Sequence, residues 1–291
     1  MKLVVTGSES FVGRALAALC RERGIEVWGV DTRSPRAGIR ADITDPALRL
    51  PKADAVVHLA AISRDSDCRA NPARALSVNV LGTQNIISAA REAEIPQVIF
   101  ASSEWVYGDP GTRLIDESES IDINRVAGEY ALTKLAGERL LALAAARGEI
   151  AATVLRFGII YGLRVEGELP SAVESLFAAV RDTGRAEARG SLATARRFIH
   201  AADIAAGILA AVGRPGYDVF NLTGDRLVTL AEIARTSAEV CGRTVTLIEG
   251  DARHVSIRNI DNGKARATLG WSPRIDLRAG LESLAPEEVA A

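Results

Sequence analysis

Short runs that are apolar almost throughout alternate with longer amphipathic stretches from the first residue onward. Residues 3–5, 27–30, 55–59, 98–101 and 153–155 have no polar face, which predicts strands buried on both sides in a parallel sheet. Between them, residues 11–23, 72–93 and 126–147 have helical length and spacing. The alternation predicts an α/β fold, a Rossmann-type doubly wound parallel sheet, over residues 1–157. Beyond residue 157 the rhythm loosens. Helix-like pieces at 170–182, 203–212 and 229–241 are separated by Gly, Pro and charge, and the polar stretch 183–197 shows no strand pattern. Residues 158–291 are therefore read as mainly a smaller substrate-binding part laid over the sheet's carboxyl edge, with some segments returning to the sheet.

Composition narrows the class without naming a chemistry. Hydrophobic residues are 48% and charged residues 25% of the 291, with a net charge of −2, which argues against disorder and a nucleic-acid footprint. No apolar run approaches membrane-spanning length, and the N-terminus lacks the long apolar region and cleavage site of a signal peptide. Cys20, Cys68 and Cys241 are odd in number and widely spaced, as expected of reduced thiols in a cytoplasmic protein. With three histidines and no clustered acids, His58 and His200 are read as structural and no metal site is expected.

The first strand runs into Thr6-Gly7-Ser8-Glu9-Ser10-Phe11-Val12-Gly13 and then a helix. Glycines at such a junction let the backbone turn tightly and approach a pyrophosphate, whose charge the helix N-terminus stabilises. Ser10 stands where a second glycine is expected, and a Cβ there could not enter positive φ without cost. Asp31 ends the second strand eighteen residues after Gly13, about where an acid accepts from the adenosine ribose hydroxyls. That carboxylate would repel a 2′-phosphate and favours NAD. Arg33, two residues on, leaves NADP as the less favoured alternative.

Tyr130 and Lys134 lie four residues apart on one helical face, after the serines that end the fourth apolar run. Hydride transfer between a sugar carbon and nicotinamide needs a group that takes the hydroxyl proton and later returns it. A free tyrosine, with a pKa of about 10, is too weakly acidic to exist as a base at neutral pH. Lys134 and the positive nicotinamide would both favour the phenolate. Tyr130 is thus read as the acid/base and Lys134 as its tuner and a donor to the nicotinamide ribose.

Several segments together resemble the extended short-chain dehydrogenase/reductase family, specifically its NAD-dependent epimerase/dehydratase group, which acts mostly on nucleotide sugars. The loop at Thr6 to Gly13 is similar to that family's TGxxGxxG, Asp42-Ile43 to its adenine-binding pair, and His58-Leu59-Ala60-Ala61 to its HxAA segment beside the pyrophosphate. Asn79-Val80-Leu81-Gly82-Thr83-Gln84-Asn85 resembles its NxxGTxN helix, Arg196 to Asp203 its R-D-[YF]-[IV]-H-V-x-D segment, and Lys264 to Pro273 its closing KAxxxLGWxP. The resemblance implies that Gly7, Ser10, Phe11, Val12, Gly13, Asp31, Asp42, Ile43, Leu59, Ala60, Ala61, Asn79, Tyr130, Lys134 and Phe157 surround NAD. It points to Ser103 as the hydroxyl that holds the reacting oxygen. It also implies Arg196 at a substrate diphosphate, with Arg253, or Arg258, near a second arginine position.

Branches of that family differ beside Ser103. Glu104 matches the first acid of a dehydratase's acid/base pair, but Trp105 stands at the second position, so the obvious base for a sugar C5 proton is missing. Glu104 is read as a substrate contact or as a polar residue facing the cleft. Ile159 occupies a position commonly held by a substrate-binding asparagine and can make no hydrogen bond. The expectation is a nucleotide-sugar epimerase with a transient keto-sugar intermediate. Its alternatives are a sugar or uronate dehydrogenase/reductase, then a dehydratase, and outside enzymes an NAD-sensing Rossmann protein. Family members often pair through helices equivalent to 72–93 and 126–147, so a homodimer is expected, with no membrane partner.

Overall fold

All five apolar runs become strands of one parallel sheet, because a segment apolar on both faces needs a helical layer on each side. The computed structural model describes residues 1–126, 128–165 and 167–285; residue 127 of the predicted third helix and the last residues of the 158–291 region lie outside them. The chain opens with β1 (Lys2–Thr6), α1 (Phe11–Glu22), β2 (Glu26–Asp31), β3 (Gly38–Arg40), β4 (Ala55–His58), α2 (Asp65–Ala70), α3 (Pro72–Leu76), a π-helical turn at Ser77–Leu81 and α4 (Gly82–Glu92). Next come β5 (Gln97–Ser103), a 3-10 turn at Glu104–Tyr107, β6 (Leu114–Ile115), α5 (Glu129–Ala146) and β7 (Ala151–Phe157). The remainder holds β8 (Ile160–Tyr161), α6 (Ala172–Thr183), β9 (Arg185–Ala188), β10 (Ala195–Arg196), β11 (Ile199–His200), α7 (Ala201–Ala210), β12 (Tyr217–Leu222), β13 (Val228–Thr229), α8 (Leu230–Val240), β14 (Thr246–Glu249), β15 (Ile257–Ile260), α9 (Gly263–Leu269) and α10 (Leu277–Glu282).

Among the described residues the main sheet has seven strands, in the order β12-β7-β5-β4-β1-β2-β3. The order reverses between β1 and β4, and in open α/β sheets ligands bind at the carboxyl ends beside that reversal. Register brings the strand ends level there: Thr6 pairs with His58, and Ser103 with Phe157. Alternate strand residues feed two cores. Leu3, Val5, Val57 and Leu155 pack with Leu16, Ile204 and Ile208 on one face, and Val4, Val56, Phe100 and Val154 with Ile86, Ile87 and Leu141 on the other. A third core, with Tyr161, Phe177, Val180, Ile233 and Leu281, belongs to the chain after β7.

Two expectations are corrected. The stretch 72–93 is not one α-helix, since a π turn separates α3 from α4. Within 183–197, β9 pairs with β14 and β10 with β13 and β15. The alternation is present in β9, but its buried positions are only Ala186 and Ala188, between exposed Arg185 and Glu187. Small apolar residues between long charged ones hide a strand. The chain also returns to the main sheet, where β12 extends it beyond β7.

Candidate active site

A cleft of about 980 Å³ opens along the carboxyl ends of the strands, from Asp31 and Asp42 at one end to Ser103, Tyr130, Lys134 and Phe157 at the other. Its floor is the β1–α1 loop. Gly7 has φ +69°, and a Cβ on it would lie 2.7 Å from the Ala60 nitrogen; one on Gly13 would lie 2.5 Å from the Gly7 oxygen. Both contacts are with backbone, so glycine is required for the loop to lie flat under a ligand. Ser10 needs no such freedom. Its φ is −71°, and its Oγ accepts a bond of 3.1 Å from the Gly13 N–H as the N-cap of α1. The serine that departs from the glycine pattern is thus unstrained, and Phe11 starts a helix whose N-terminus faces the cleft.

Asp31 is buried, and its carboxylate accepts from the Glu9 N–H and the Arg33 N–H, each at 2.9 Å. The Arg33 guanidinium turns back onto Asp31 at 3.6 Å and onto the Glu9 carbonyl at 2.5 Å. An arginine so engaged favours NAD over its 2′-phosphorylated form. Asp42 lines the cleft, held by Thr44 and by Arg74 at 3.0 Å, a partner with no signal in the sequence pattern. Ile43, Leu59, Ala60, Ala61 and Val12 line the walls. Asn79 and Gly13 do not reach the cleft. Asn79 clasps Ile62 from both sides, its Oδ1 accepting from Ile62 N at 2.8 Å and its Nδ2 donating to Ile62 O at 2.9 Å, and it also donates to Thr133 Oγ1 at 2.9 Å. It therefore fixes the post-β4 loop to the residue before Lys134.

His58 is wholly interior. Its Nδ1 lies 2.7 Å from Thr6 Oγ1, and its Nε2 lies 3.0 Å from Thr83 Oγ1. Because Thr83 donates to the Asn79 carbonyl, it can only accept from His58, so the ring is neutral with its proton on Nε2. Burial, and next the Lys134 charge, push its pKa down to about 3. Among the described residues no group of three or more His, Cys, Asp or Glu could hold a metal ion.

At the other end of the cleft, β5 carries Ser103 and α5 carries Tyr130 and Lys134. The Ser103 hydroxyl accepts from the Trp105 N–H at 3.3 Å and lines the same end of the cleft as Tyr130. The Lys134 Nζ lies 4.8 Å above the Phe100 ring centre and 5.8 Å from that of Tyr130. Burial dominates both groups. It pushes the Tyr130 phenol well above its ordinary value and the Lys134 ammonium down to about 8. The protein alone therefore holds Tyr130 protonated.

Behind this triad runs a second, largely interior network. Arg156 of β7 donates twice to Glu138 of α5, at 2.9 and 2.7 Å, while Ser102 donates to the same carboxylate at 2.6 Å. Arg156 also donates to the Tyr107 hydroxyl, which donates to Asn221 of β12, each at 2.8 Å. Ser102 precedes Ser103, and Glu138 lies one turn beyond Lys134. The network therefore sets the relative position of the two elements that carry the triad.

The substrate side is rearranged relative to expectation. Arg253 is not brought to the cleft: its side chain is 92% exposed and paired with Asp251 at 3.1 Å. Pairing of β10 with β15 sets Arg258 beside Arg196, and the Arg258 guanidinium stacks 4.2 Å from the Trp105 ring centre. Arg196 itself is held by the Ser256 carbonyl at 2.6 Å and hydroxyl at 2.9 Å. Glu104 is buried next to these arginines rather than on the cleft wall, and among the described residues neither of its carboxylate oxygens has a hydrogen-bond partner. Burial, offset in part by Arg258 and Arg196, pushes its pKa up to about 7. Sequence reasoning also missed Arg164 and Glu168, which line the cleft from the chain after β8.

A dinucleotide loop at a sheet's switch point, with serine, tyrosine and lysine at the far end, defines an NAD-dependent enzyme of the extended short-chain dehydrogenase/reductase type. The sequence profile of the NAD-dependent epimerase/dehydratase family matches residues 3–223, and the chain belongs to that family. The chain is 30% identical over 310 residues to the UDP-glucose 4-epimerase of Streptomyces lividans, covering 95% of this chain and 93% of the relative. It is 27% identical to a putative UDP-glucose 4-epimerase of Methanocaldococcus jannaschii over 297 residues, 96% of each. Among solved structures, MoeE5 in complex with UDP-glucose and NAD superposes with a TM-score of 0.84 at 29% identity, covering 98% of this chain and 97% of MoeE5.

Proposed function

We propose that the protein is a nucleotide-sugar epimerase that oxidises a sugar hydroxyl to a transient ketone and reduces it again from the opposite face. The observation that carries this reading is the placement of Ser103, Tyr130 and Lys134 around one end of the cleft, with Trp105 where a dehydratase would carry its second acid. The UDP-glucose 4-epimerases and MoeE5 among its relatives support a nucleotide diphosphate sugar as substrate. Bound NAD supplies the hydride acceptor and donor, and its oxidised ring adds positive charge beside Tyr130. Gly7, Ser10 and Phe11 seat its pyrophosphate, Asp31 accepts from the adenosine ribose, and Lys134 donates to the nicotinamide ribose. Tyr130 takes the proton from the sugar hydroxyl as its carbon loses hydride, and gives it back when hydride returns. Ser103 donates to the sugar oxygen and keeps it facing the phenol. Residues 158–291 supply most of the substrate half, with Arg196 and Arg258 at the diphosphate.

The working unit is proposed to be a homodimer. Leu76 and Leu81 on the α3–α4 stretch and Leu132 and Leu143 on α5 expose 42 to 61% of their surface. Leu132 and Leu143 are eleven residues apart, three helical turns, and so share one face. A second copy would cover these side chains and form a four-helix interface.

Purified protein incubated with UDP-glucose, UDP-galactose and UDP-glucuronic acid should give the C4-inverted sugar with no net NADH. Stoichiometric NADH with one sugar would instead identify a dehydrogenase. Tyr130→Phe should lower turnover by about a thousandfold or more while NAD affinity changes little, since the phenol hydroxyl acts on the proton in transit. Full activity in that variant would remove Tyr130 from the mechanism.

A further inference from the structure

After β8, Arg164 and Glu168 line the cleft and contact α1. Arg164 lays its guanidinium 4.1 Å from the centre of the Phe11 ring, the first residue of that helix. Its Nε donates to Glu174 at 2.7 Å, and its Nη2 to the Ile160 carbonyl at 3.3 Å. Glu174 also accepts from the Gly162 and Ser171 N–H groups, so it orients the arginine while sharing its own charge. Four residues on, Glu168 receives Arg14 of α1 in a two-pronged pair, at 3.1 and 2.6 Å, and Arg14 further donates to the Glu9 carbonyl at 2.7 Å. Both side chains of this pair are largely shielded, at 28 and 18% exposure. Arg164 and Glu168 line the same cleft as Gly7 and Ser10.

We propose that these residues form a cofactor clasp: Arg164 presents positive charge to the dinucleotide pyrophosphate, and the Arg14–Glu168 pair ties the chain after β8 to α1 beside it. Phe11 fixes the guanidinium beside the N-terminus of α1, where the family's pyrophosphate is seated, and a planar fork with an open edge suits a phosphate oxygen. The clasp gives the epimerase reading a physical basis, because an enzyme that must return its own hydride cannot release the reduced cofactor first. The inference rests on NAD occupying the cleft, and it does not depend on which sugar is bound.

The test is the rate at which excess NAD displaces NADH from the full chain, followed by NADH fluorescence. Glu168→Gln and Arg164→Gln should each release NADH about tenfold faster or more, the size of one lost charge-assisted bond. Arg14→Gln with Glu168→Gln together should release it no faster than either alone, because both break one pair. Arg164→Gln should weaken ADP-ribose but not adenosine, which lacks the pyrophosphate. Release rates equal to wild type in both single variants overturn the clasp, as does an equal loss of adenosine and ADP-ribose. A wild-type chain that binds no NADH would overturn the cofactor site itself, a separate outcome.

Discussion

Arg258 donates to the Glu104 backbone carbonyl at 3.5 Å, but neither carboxylate oxygen of Glu104 has a hydrogen-bond partner among the described residues, and the carboxyl is pushed up from 4.5 to about 7, chiefly by burial. A carboxyl whose pKa is higher in the native state binds more protons there than in the unfolded chain. Its contribution is fully present below about pH 4.5 and is lost as pH rises through about 7. Replacing it removes that dependence. Urea unfolding of wild type and Glu104→Gln should show the variant gaining on wild type between pH 5 and 8, by on the order of 3 kcal/mol. A difference that stays flat with pH would show that Glu104 does not titrate in this range. The sequence marks Glu104 as exceptional, but its isolation is a property of the fold: Arg258 and Arg196 reach it only because β10 and β15 pair in parallel. The same pairing explains why Arg253, five residues earlier and plausible by position, stays in solvent.

Elements buried on both faces were the legible ones. β1, β2, β4, β5 and β7 announce themselves as apolar runs, since their C-terminal halves are buried throughout and only their first residues reach the surface in β1, β2 and β7. The triad was legible for a related reason: Tyr130 and Lys134 need only helical spacing to share a face. What spacing cannot reveal is how α5 is set against β5 and β7, which depends on the ion pair of Glu138 with Arg156. Glu138→Leu leaves the guanidinium buried and unpaired, and should cost about 3–5 kcal/mol in denaturant unfolding. It should also lower kcat more than it raises KM, because Ser103 and Lys134 lose their common support. Unchanged stability and kcat would relegate the network to packing. The π turn between α3 and α4 was not legible either, since helix propensity does not distinguish five-residue from four-residue hydrogen bonding.

At the scale of the whole molecule, the proposed pairing of two copies has a direct check. Leu132→Glu with Leu143→Glu puts charge on the exposed face of α5 without touching the cleft, and sedimentation should shift from dimer to monomer. A wild-type chain that sediments as a monomer would end that proposal. The proposed clasp and the proposed pairing use separate surfaces, the cleft and the outer face of α5, so each should be lost alone.

The return of β12 to the main sheet concerns the order of synthesis. β7 gains its outer neighbour only when residues 217–222 arrive, after α6 and α7 have both been made. Until then Ala151–Phe157 is a bare parallel edge, apolar except at Thr153 and Arg156 and open to another strand. A chain cut after residue 157 would keep the cofactor loop and the triad yet carry that edge permanently. Such a fragment should self-associate rather than work alone, and sedimentation of residues 1–157 would check it.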